Sequence, residues 1–198
     1  MHEPPPPDVV LAIHGYAQGL FPMDDPEAQD EPLPFYTADP RCVLDVSPAG
    51  LNRLRRKLRR SLAADPGWEP AVDRDFEAVL TGCMQPRPRD GVWLTPRLGE
   101  LYRGMHRAGF AHSFELWEGD RLAMGALGVV LGRAVMLESM FHTVPHAGNV
   151  GLVRTLEGLA ARGVELCDIQ LPTPHTLRLG AEQIPSEEYL RRLERALR

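Results

Sequence analysis

The sequence predicts an α+β domain in which helices flank a mixed sheet that contains an antiparallel meander. Three observations lead to this fold class. The 198 residues are 43% apolar and 25% charged, so the chain can bury a substantial core. Apolar residues recur at helical spacing in the first half and alternate at strand spacing after residue 110. Helical spacing then returns on both sides of one more strand-like segment.

A short N-terminal appendage and loop, residues 1–41, is expected before the main domain, residues 42–198. Four consecutive prolines fix the backbone near the start, and residues 9–19 can form one short helix. Residues 21–41 carry five prolines and six acids, which predicts a long irregular segment.

Three helices are predicted in the first part of the main domain. A leucine repeat over residues 51–62 predicts one amphipathic helix whose outer face is basic. Residues 73–84 and 95–108 predict two more, the second opened by Pro96 and ended by Gly109.

The second part of the domain begins with the meander. Residues 112–117, 122–131 and 134–141 predict three strands, and the two tight turns between them make the strands antiparallel. After it we expect a helix, a buried strand, a turn-rich loop and a final helix. These cover residues 149–162, 164–171 and 172–181 and the segment after Pro185.

Composition excludes several classes of protein. No apolar run approaches the roughly 20 residues that span a bilayer, and the N-terminus lacks a secretory signal, so we expect a cytoplasmic protein with no membrane partner. Cys42, Cys83 and Cys167 are odd in number and far apart, which does not support a disulfide framework or a zinc knuckle. His142 and His146 do not share a predicted helix, and no phosphate-binding glycine pattern occurs, so neither a metal nor a cofactor is expected.

A basic segment stands out against the net charge of −5. Its six basic residues follow one another without an acid between them, so it should meet any polyanion locally. Two interpretations stay open, a solvated helix face and an anion-binding surface. The segment consists of Arg53, Arg55, Arg56, Lys57, Arg59 and Arg60.

Several polar and aromatic residues are candidates for a site. Glu138 lies in an apolar run, where burial is costly without a partner, so it should reach solvent or face a polar cavity. Asp168 and Gln170 are two residues apart and should share one strand face, which fits a lined cleft and an exposed sheet equally. His175 is titratable near neutral pH. Trp93, just ahead of a helix, can stack on a base or fill the core.

Motifs in a fixed order give a more specific signal. They are Tyr16–Pro22, Ala38–Arg41, Gly91–Thr95, His112–Trp117, Glu138–Phe141, Asp168–Gln170 and His175–Ala181. In their residues and in their order along the chain, they resemble the motifs of the leucyl/phenylalanyl-tRNA–protein transferase family. The order of elements also resembles the acyltransferase fold of GNAT N-acetyltransferases, so a GNAT-like catalytic domain is implied over residues 42–198.

The resemblance implies an enzyme of the bacterial N-end rule pathway of protein degradation. Such an enzyme moves Leu or Phe from aminoacyl-tRNA to the N-terminal α-amino group of a protein that begins with Arg or Lys. The resemblance implies that Asp168, Gln170 and Glu138 are catalytic and that Trp93 packs on the terminal adenosine of the tRNA. The basic segment is then expected to bind tRNA phosphates.

The aminoacyl ester is already activated, so the enzyme mainly has to position the amine and stabilise developing charge. We expect the carbonyl oxygen of Gln170, oriented by Asp168, to accept a hydrogen bond from the amine. Asp168 and Glu138 are the candidate proton acceptors. The expected substrate-binding residues are Trp93, Met140, Ser139, Ala126, Val135, Phe35, Tyr36 and His175.

The chain departs from the family pattern at a few positions. Met23 and Thr173 stand where the family usually has Trp and Asn, and the usual Ser-Lys pair before Asn149 is absent. Two alternatives therefore stay open. One is a CoA-dependent GNAT N-acetyltransferase, and the other is a non-catalytic tRNA-binding relative.

Overall fold

The computed structural model describes residues 4–28, 30–86 and 92–198. The first half of the chain contains α1 (Pro7–Ala17), β1 (Phe21–Pro22), β2 (Phe35–Tyr36), β3 (Arg41–Leu44), α2 (Pro48–Lys57), α3 (Arg59–Ala63), β4 (Glu69–Val72), α4 (Phe76–Met84) and α5 (Pro96–Arg107). The second half contains β5 (Ala111–Glu118), β6 (Arg121–Leu131), β7 (Ala134–His142), α6 (Ala147–Ala161), β8 (Leu166–Asp168), α7 (Pro174–Leu179), β9 (Glu182–Ile184) and α8 (Ser186–Leu197).

The sheet is mixed and contains the predicted meander. Across the described residues it has seven strands in the order β4-β5-β6-β7-β8-β3-β9. Strands β4 to β7 are antiparallel, β7 and β8 are parallel, and β3 is antiparallel to both of its neighbours. A parallel pair needs a crossover, which α6 provides between β7 and β8. The predicted α+β class is therefore confirmed.

Two apolar cores lie on opposite faces of the sheet. Because side chains alternate along a strand, Met136 contributes to one core and its neighbour Val135 to the other. The first core also takes side chains from α1, α4, α5 and α8, and the second from α2 and α6. Val9 and Tyr16 of α1 are part of the first core, so the N-terminal helix is packed on the main body. The division at residue 41 stays a prediction.

Local structure differs from the prediction where segments are short. The leucine repeat does not form one helix, because α2 ends at Lys57 and a separate turn, α3, begins at Arg59. The turn-rich loop contains α7, which Thr173 caps by accepting a hydrogen bond from the Thr176 amide. Strands β3, β4 and β9 were not predicted; each has only three or four residues.

The second half of β7 does not pair with β8. The two strands pair only over Ala134–Met136 and Leu166–Asp168, and β7 then continues to His142. The gap between them is the part of the fold in which a ligand can enter the sheet. None of the helices in the described ranges has the length and apolar character needed to cross a membrane.

The meander turns offer a test of how the sheet is held against α8. Gly119 and Gly132 occupy the two turns with φ of 60° and 55°, so a side chain at either is strained by about 1–2 kcal/mol. A Cβ at Gly132 would also lie 2.7 Å from the Ala196 carbonyl oxygen, whereas one at Gly119 would meet nothing within 4 Å.

We therefore expect Gly132→Ala to lower the free energy of unfolding by about 1–3 kcal/mol more than Gly119→Ala, the matched control. Urea unfolding of both variants measures the difference. Equal losses would contradict the close contact between the second turn and α8.

Candidate active site

A cavity of about 450 Å³ lies at the gap between β7 and β8. Its walls are mostly apolar, and Glu138 and Gln170 supply polar groups to it. The lining residues are Phe21, Pro22, Met23, Leu44, Trp93, Met124, Ala126, Leu137, Glu138, Ser139, Met140, Leu152, Thr155, Ile169, Gln170, Leu171, Thr173, His175, Thr176 and Leu179.

A β-bulge presents Glu138 to this cavity. In the pairing of β6 with β7, Gly128 is opposite Leu137 and Leu127 is opposite Ser139, so Glu138 is the extra residue without a partner. Bulges of this kind redirect a side chain from the regular alternation of a strand. The apolar run around Glu138 therefore accommodates a carboxyl group that faces a cavity.

Asp168 is held in a dense network of hydrogen bonds. It is fully buried and forms an ion pair with Arg41, whose Nε and Nη2 donate to Oδ1 and Oδ2 at 2.9 and 2.6 Å. The Tyr189 hydroxyl donates to Oδ2 at 2.8 Å, and the Gln170 amide donates to Oδ1 at 2.9 Å. Both oxygen atoms of Asp168 thus accept two hydrogen bonds, and Asp168 does not line the cavity.

Arg41 connects this network to the cavity wall. Its guanidinium lies between the rings of Phe21 and Tyr189, 4.6 and 4.5 Å from their centroids, and donates to the Gly19 carbonyl oxygen at 3.0 Å. Phe21 is also one of the residues that line the cavity. Since Arg41 is only 1% exposed, its charge depends on Asp168 for compensation.

Gln170 does not lie on a strand face with Asp168, so the prediction that the two residues share one is wrong. β8 ends at Asp168, and Gln170 adopts a left-handed backbone conformation with φ of 55°. The hydrogen bond from the Gln170 amide to Asp168 stabilises this turn, and the Gln170 carbonyl oxygen accepts from the Cys42 amide at 3.0 Å. The turn places the Gln170 side chain in the cavity while Asp168 stays beneath it.

Two tyrosines from different helices meet Glu138. The hydroxyl groups of Tyr16 and Tyr102 are 3.1 Å apart, and both residues are fully buried. Burial raises the pKa of Glu138 to about 8, although hydrogen bonds from these hydroxyls act in the opposite direction. The carboxyl group therefore differs in charge from an ordinary surface glutamate near neutral pH.

The cavity collects some of the predicted substrate-binding residues and leaves out others. The ones that line it are Trp93, Ala126, Ser139, Met140 and His175. Gly91, which belongs to the same sequence motif as Trp93, lies outside the described residues. Burial, together with Arg178 and His142, lowers the pKa of His175.

Three predicted residues are elsewhere. Val135 is fully buried in the second core, and Phe35 packs beside Gly15. Tyr36 is 47% exposed on β2. Sequence reasoning missed the apolar lining residues, among them Leu44 and Leu152, because nothing distinguishes them from other core residues.

The basic segment is partly neutralised by acids from other elements. Arg53 pairs with Asp45, and Arg55 pairs with Glu157 of α6. Lys57 Nζ donates to the Arg178 carbonyl oxygen at 3.1 Å, which connects α2 to the end of α7. Arg56, Arg59 and Arg60 are exposed and have no ion pair with any described residue. The free positive charge is thus smaller than the sequence suggests.

The fold and the cavity define the class of the protein. A meander, a crossover helix and a sheet that opens between two parallel strands give the GNAT-like acyltransferase fold that the sequence predicted. The chain belongs to the leucyl/phenylalanyl-tRNA–protein transferase family, whose sequence profile matches residues 46–194. The resemblance noted from the motifs is therefore confirmed, and the family is one of aminoacyltransferases.

Individual relatives agree with this assignment. A leucyl/phenylalanyl-tRNA–protein transferase from Anaeromyxobacter sp. (strain K) is 43% identical over 96% of this chain and 84% of the relative. One from Rubrobacter xylanophilus is 40% identical over 95% of this chain and 94% of the relative. One from Nostoc sp. (strain PCC 7120) is 37% identical over 96% and 95%.

The buried ion pair beneath the cavity can be tested by stability. Arg41→Met leaves Asp168 buried without its cation, which should cost roughly 3–5 kcal/mol of unfolding free energy. Adding Asp168→Asn removes the uncompensated charge and should restore part of the loss. Arg191→Met, which breaks exposed pairs on α8, is the matched control and should change stability little. Chemical denaturation that shows equal effects at both arginines would contradict this account.

Proposed function

We propose that this protein transfers Leu or Phe from an aminoacyl-tRNA to the N-terminal α-amino group of a protein that begins with Arg or Lys. Membership of the family supports the reaction. The observation that carries the proposal is the cavity, which combines apolar walls with the Glu138–Gln170 pair. Because charged tRNA is its donor, we expect the reaction to take place in the cytoplasm.

The cavity suits an apolar amino-acid side chain. Its volume of about 450 Å³ lies within the usual range of small-molecule sites, roughly 300–1,000 Å³. Met124, Ala126, Met140 and Leu152 supply apolar surface that a Leu or Phe side chain can bury. A charged or strongly polar side chain would lose its hydration there without replacement.

Trp93 and Phe21 offer aromatic surface to the donor. Both line the cavity, next to Met23, which occupies the position of the usual tryptophan. Stacking of a base on an aromatic side chain is worth about 1–3 kcal/mol, and Trp93 provides the larger face. We therefore assign the terminal adenosine to Trp93, with Met23 as an apolar neighbour.

The reaction needs little beyond positioning and charge stabilisation, because the ester donor is activated. Gln170 has no useful basicity, but its carbonyl oxygen can accept a hydrogen bond from the attacking amine. Asp168 is a positioning residue: its oxygens are occupied by Arg41, Tyr189 and the Gln170 amide, so it holds the turn rather than taking a proton.

A transfer assay tests the reaction. The protein should transfer labelled Leu or Phe from charged tRNA to a peptide that begins with Arg, and Gln170→Ala should lower kcat/KM about tenfold or more with an unchanged melting temperature. Absence of transfer with retained tRNA binding would favour a non-catalytic relative. Absence of transfer with a melting temperature raised by acetyl-CoA would favour an N-acetyltransferase.

The basic segment can be divided by a matched pair of variants, each lacking two positive charges. Arg56→Gln with Arg59→Gln removes exposed arginines that form no ion pair with a described residue, so the slope of log K for tRNA against log salt should flatten by about 2. Arg53→Gln with Arg55→Gln removes arginines already paired with Asp45 and Glu157 and should flatten it less. Equal slopes for both pairs would show that the internal ion pairs do not decide which arginines meet phosphate.

A further inference from the structure

The orientation of the Gln170 side chain follows from its backbone neighbours. One end of the amide lies 3.1 Å from the carbonyl oxygens of both Leu137 and Ile169. Carbonyl oxygens only accept hydrogen bonds, so this end is the NH₂ group, which donates to both. The opposite end, which lies 3.4 Å from Oε1 of Glu138, is then the carbonyl oxygen Oε1. The reverse orientation would let the NH₂ group donate to Glu138 across this contact, but it would leave the carbonyl oxygens of Leu137 and Ile169 facing another oxygen.

Two oxygen atoms face each other across this contact. If Glu138 were ionised, both would be acceptors, and their repulsion would work against the hydrogen bonds that Tyr16 and Tyr102 donate to the carboxylate. A proton on Glu138 converts the contact into an O–H donor facing an acceptor, and a shift of about half an ångström gives an ordinary hydrogen bond.

The groups around Glu138 come from several elements, and burial outweighs those that oppose a proton, which are the hydrogen bonds from Tyr16 and Tyr102 and the charge of Arg41. The charges of Arg41 and Asp168 have opposite effects on the pKa of Glu138, and these effects largely cancel because the two residues form an ion pair with each other. The tyrosine hydroxyls stay neutral, since burial raises the pKa of both Tyr16 and Tyr102. Burial therefore dominates, in agreement with a pKa of about 8 for Glu138. The titratable or charged groups that face it are Tyr16 of α1, Arg41 of β3, Tyr102 of α5 and Asp168 of β8.

We propose that Glu138 carries a proton in the resting protein and uses it to hold the carbonyl oxygen of Gln170 toward the cavity. Glu138 is then a positioning residue that acts through Gln170. This assignment concerns the free protein, and only its consequence for catalysis rests on the proposed function.

The consequence is a choice between two orientations of one amide. An ionised Glu138 would attract the NH₂ end of Gln170, and the amide would have to rotate. Rotation gives up the hydrogen bonds to Leu137 and Ile169 and turns a donor toward the cavity, where the incoming amine needs an acceptor. The proton on Glu138 therefore keeps Gln170 in the orientation that can receive an amine.

Infrared spectroscopy of the free protein tests the proton directly, without any transfer reaction. With ¹³C-labelled glutamate, wild type should show a protonated carboxyl band at pH 7 that disappears with a midpoint near pH 8. Glu138→Gln should lack this band. If Glu138→Gln does not fold, Tyr102→Phe replaces it: losing a hydrogen bond to the carboxylate should move the midpoint to higher pH. A wild-type spectrum without a protonated glutamate at pH 7 would overturn the proposal.

The pH dependence of transfer tests the effect on Gln170. The acceptor amine titrates identically with both enzymes, so it cancels in the ratio of wild-type to Glu138→Gln kcat/KM. The ratio should be constant below pH 7 and fall tenfold per pH unit well above 8, because the variant amide still donates to Gln170 at high pH. A ratio that rises with pH would mean that ionised Glu138 is the active form and would refute the positioning role.

The two measurements separate this proposal from the proposed function. A protonated Glu138 in a protein that transfers nothing would support the proton assignment and overturn the reaction. Efficient transfer by a protein whose Glu138 is ionised at pH 7 would overturn the proton assignment and leave the reaction standing.

Discussion

The site depends on one buried ion pair, between Arg41 and Asp168. Burying two charges is expensive unless each is matched by good geometry and further hydrogen bonds, and this pair has both. The Arg41 guanidinium lies between two aromatic rings, and Asp168 accepts from a tyrosine and a backbone amide as well. The pair joins β3, the end of β8, α8 and the loop before β1 at one point beneath the cavity floor.

Irregular backbone then gives the site its functional groups. A bulge in β7 presents Glu138, and a left-handed turn after β8 presents Gln170. Each irregularity lies where regular strands would have turned the side chain elsewhere. Strained or bulged backbone persists only when its surroundings hold it in place, and here the neighbouring strand and the ion pair do so.

Much of the fold could be predicted from the sequence, and the elements that could not be predicted were missed for physical reasons. The meander and α5 and α8 were predictable because long periodic segments carry a clear signal. β3 and β9 were not, because strands this short depend on partners that are distant in the chain. The motif resemblance brought out Glu138, Gln170 and Trp93, all of which line the cavity.

Other features of the site had no local signal. The pairing of Arg41 with Asp168 spans 127 positions, and neither residue indicates the other. The neutralisation of Arg55 by Glu157 of α6 likewise depends on tertiary packing. For the same reason Val135 and Ala126, both small apolar residues of the meander, could not be separated into core and cavity wall.

The hydrogen bond from Lys57 to the Arg178 carbonyl oxygen bears on the distance between the basic segment and the cavity. It fastens the basic helix α2 to α7, whose other residues form part of the cavity wall. The contact helps to fix the spacing between the outer arginines and the pocket. A polyanion bound to these arginines, as proposed, reaches the pocket only with an end whose length matches this spacing.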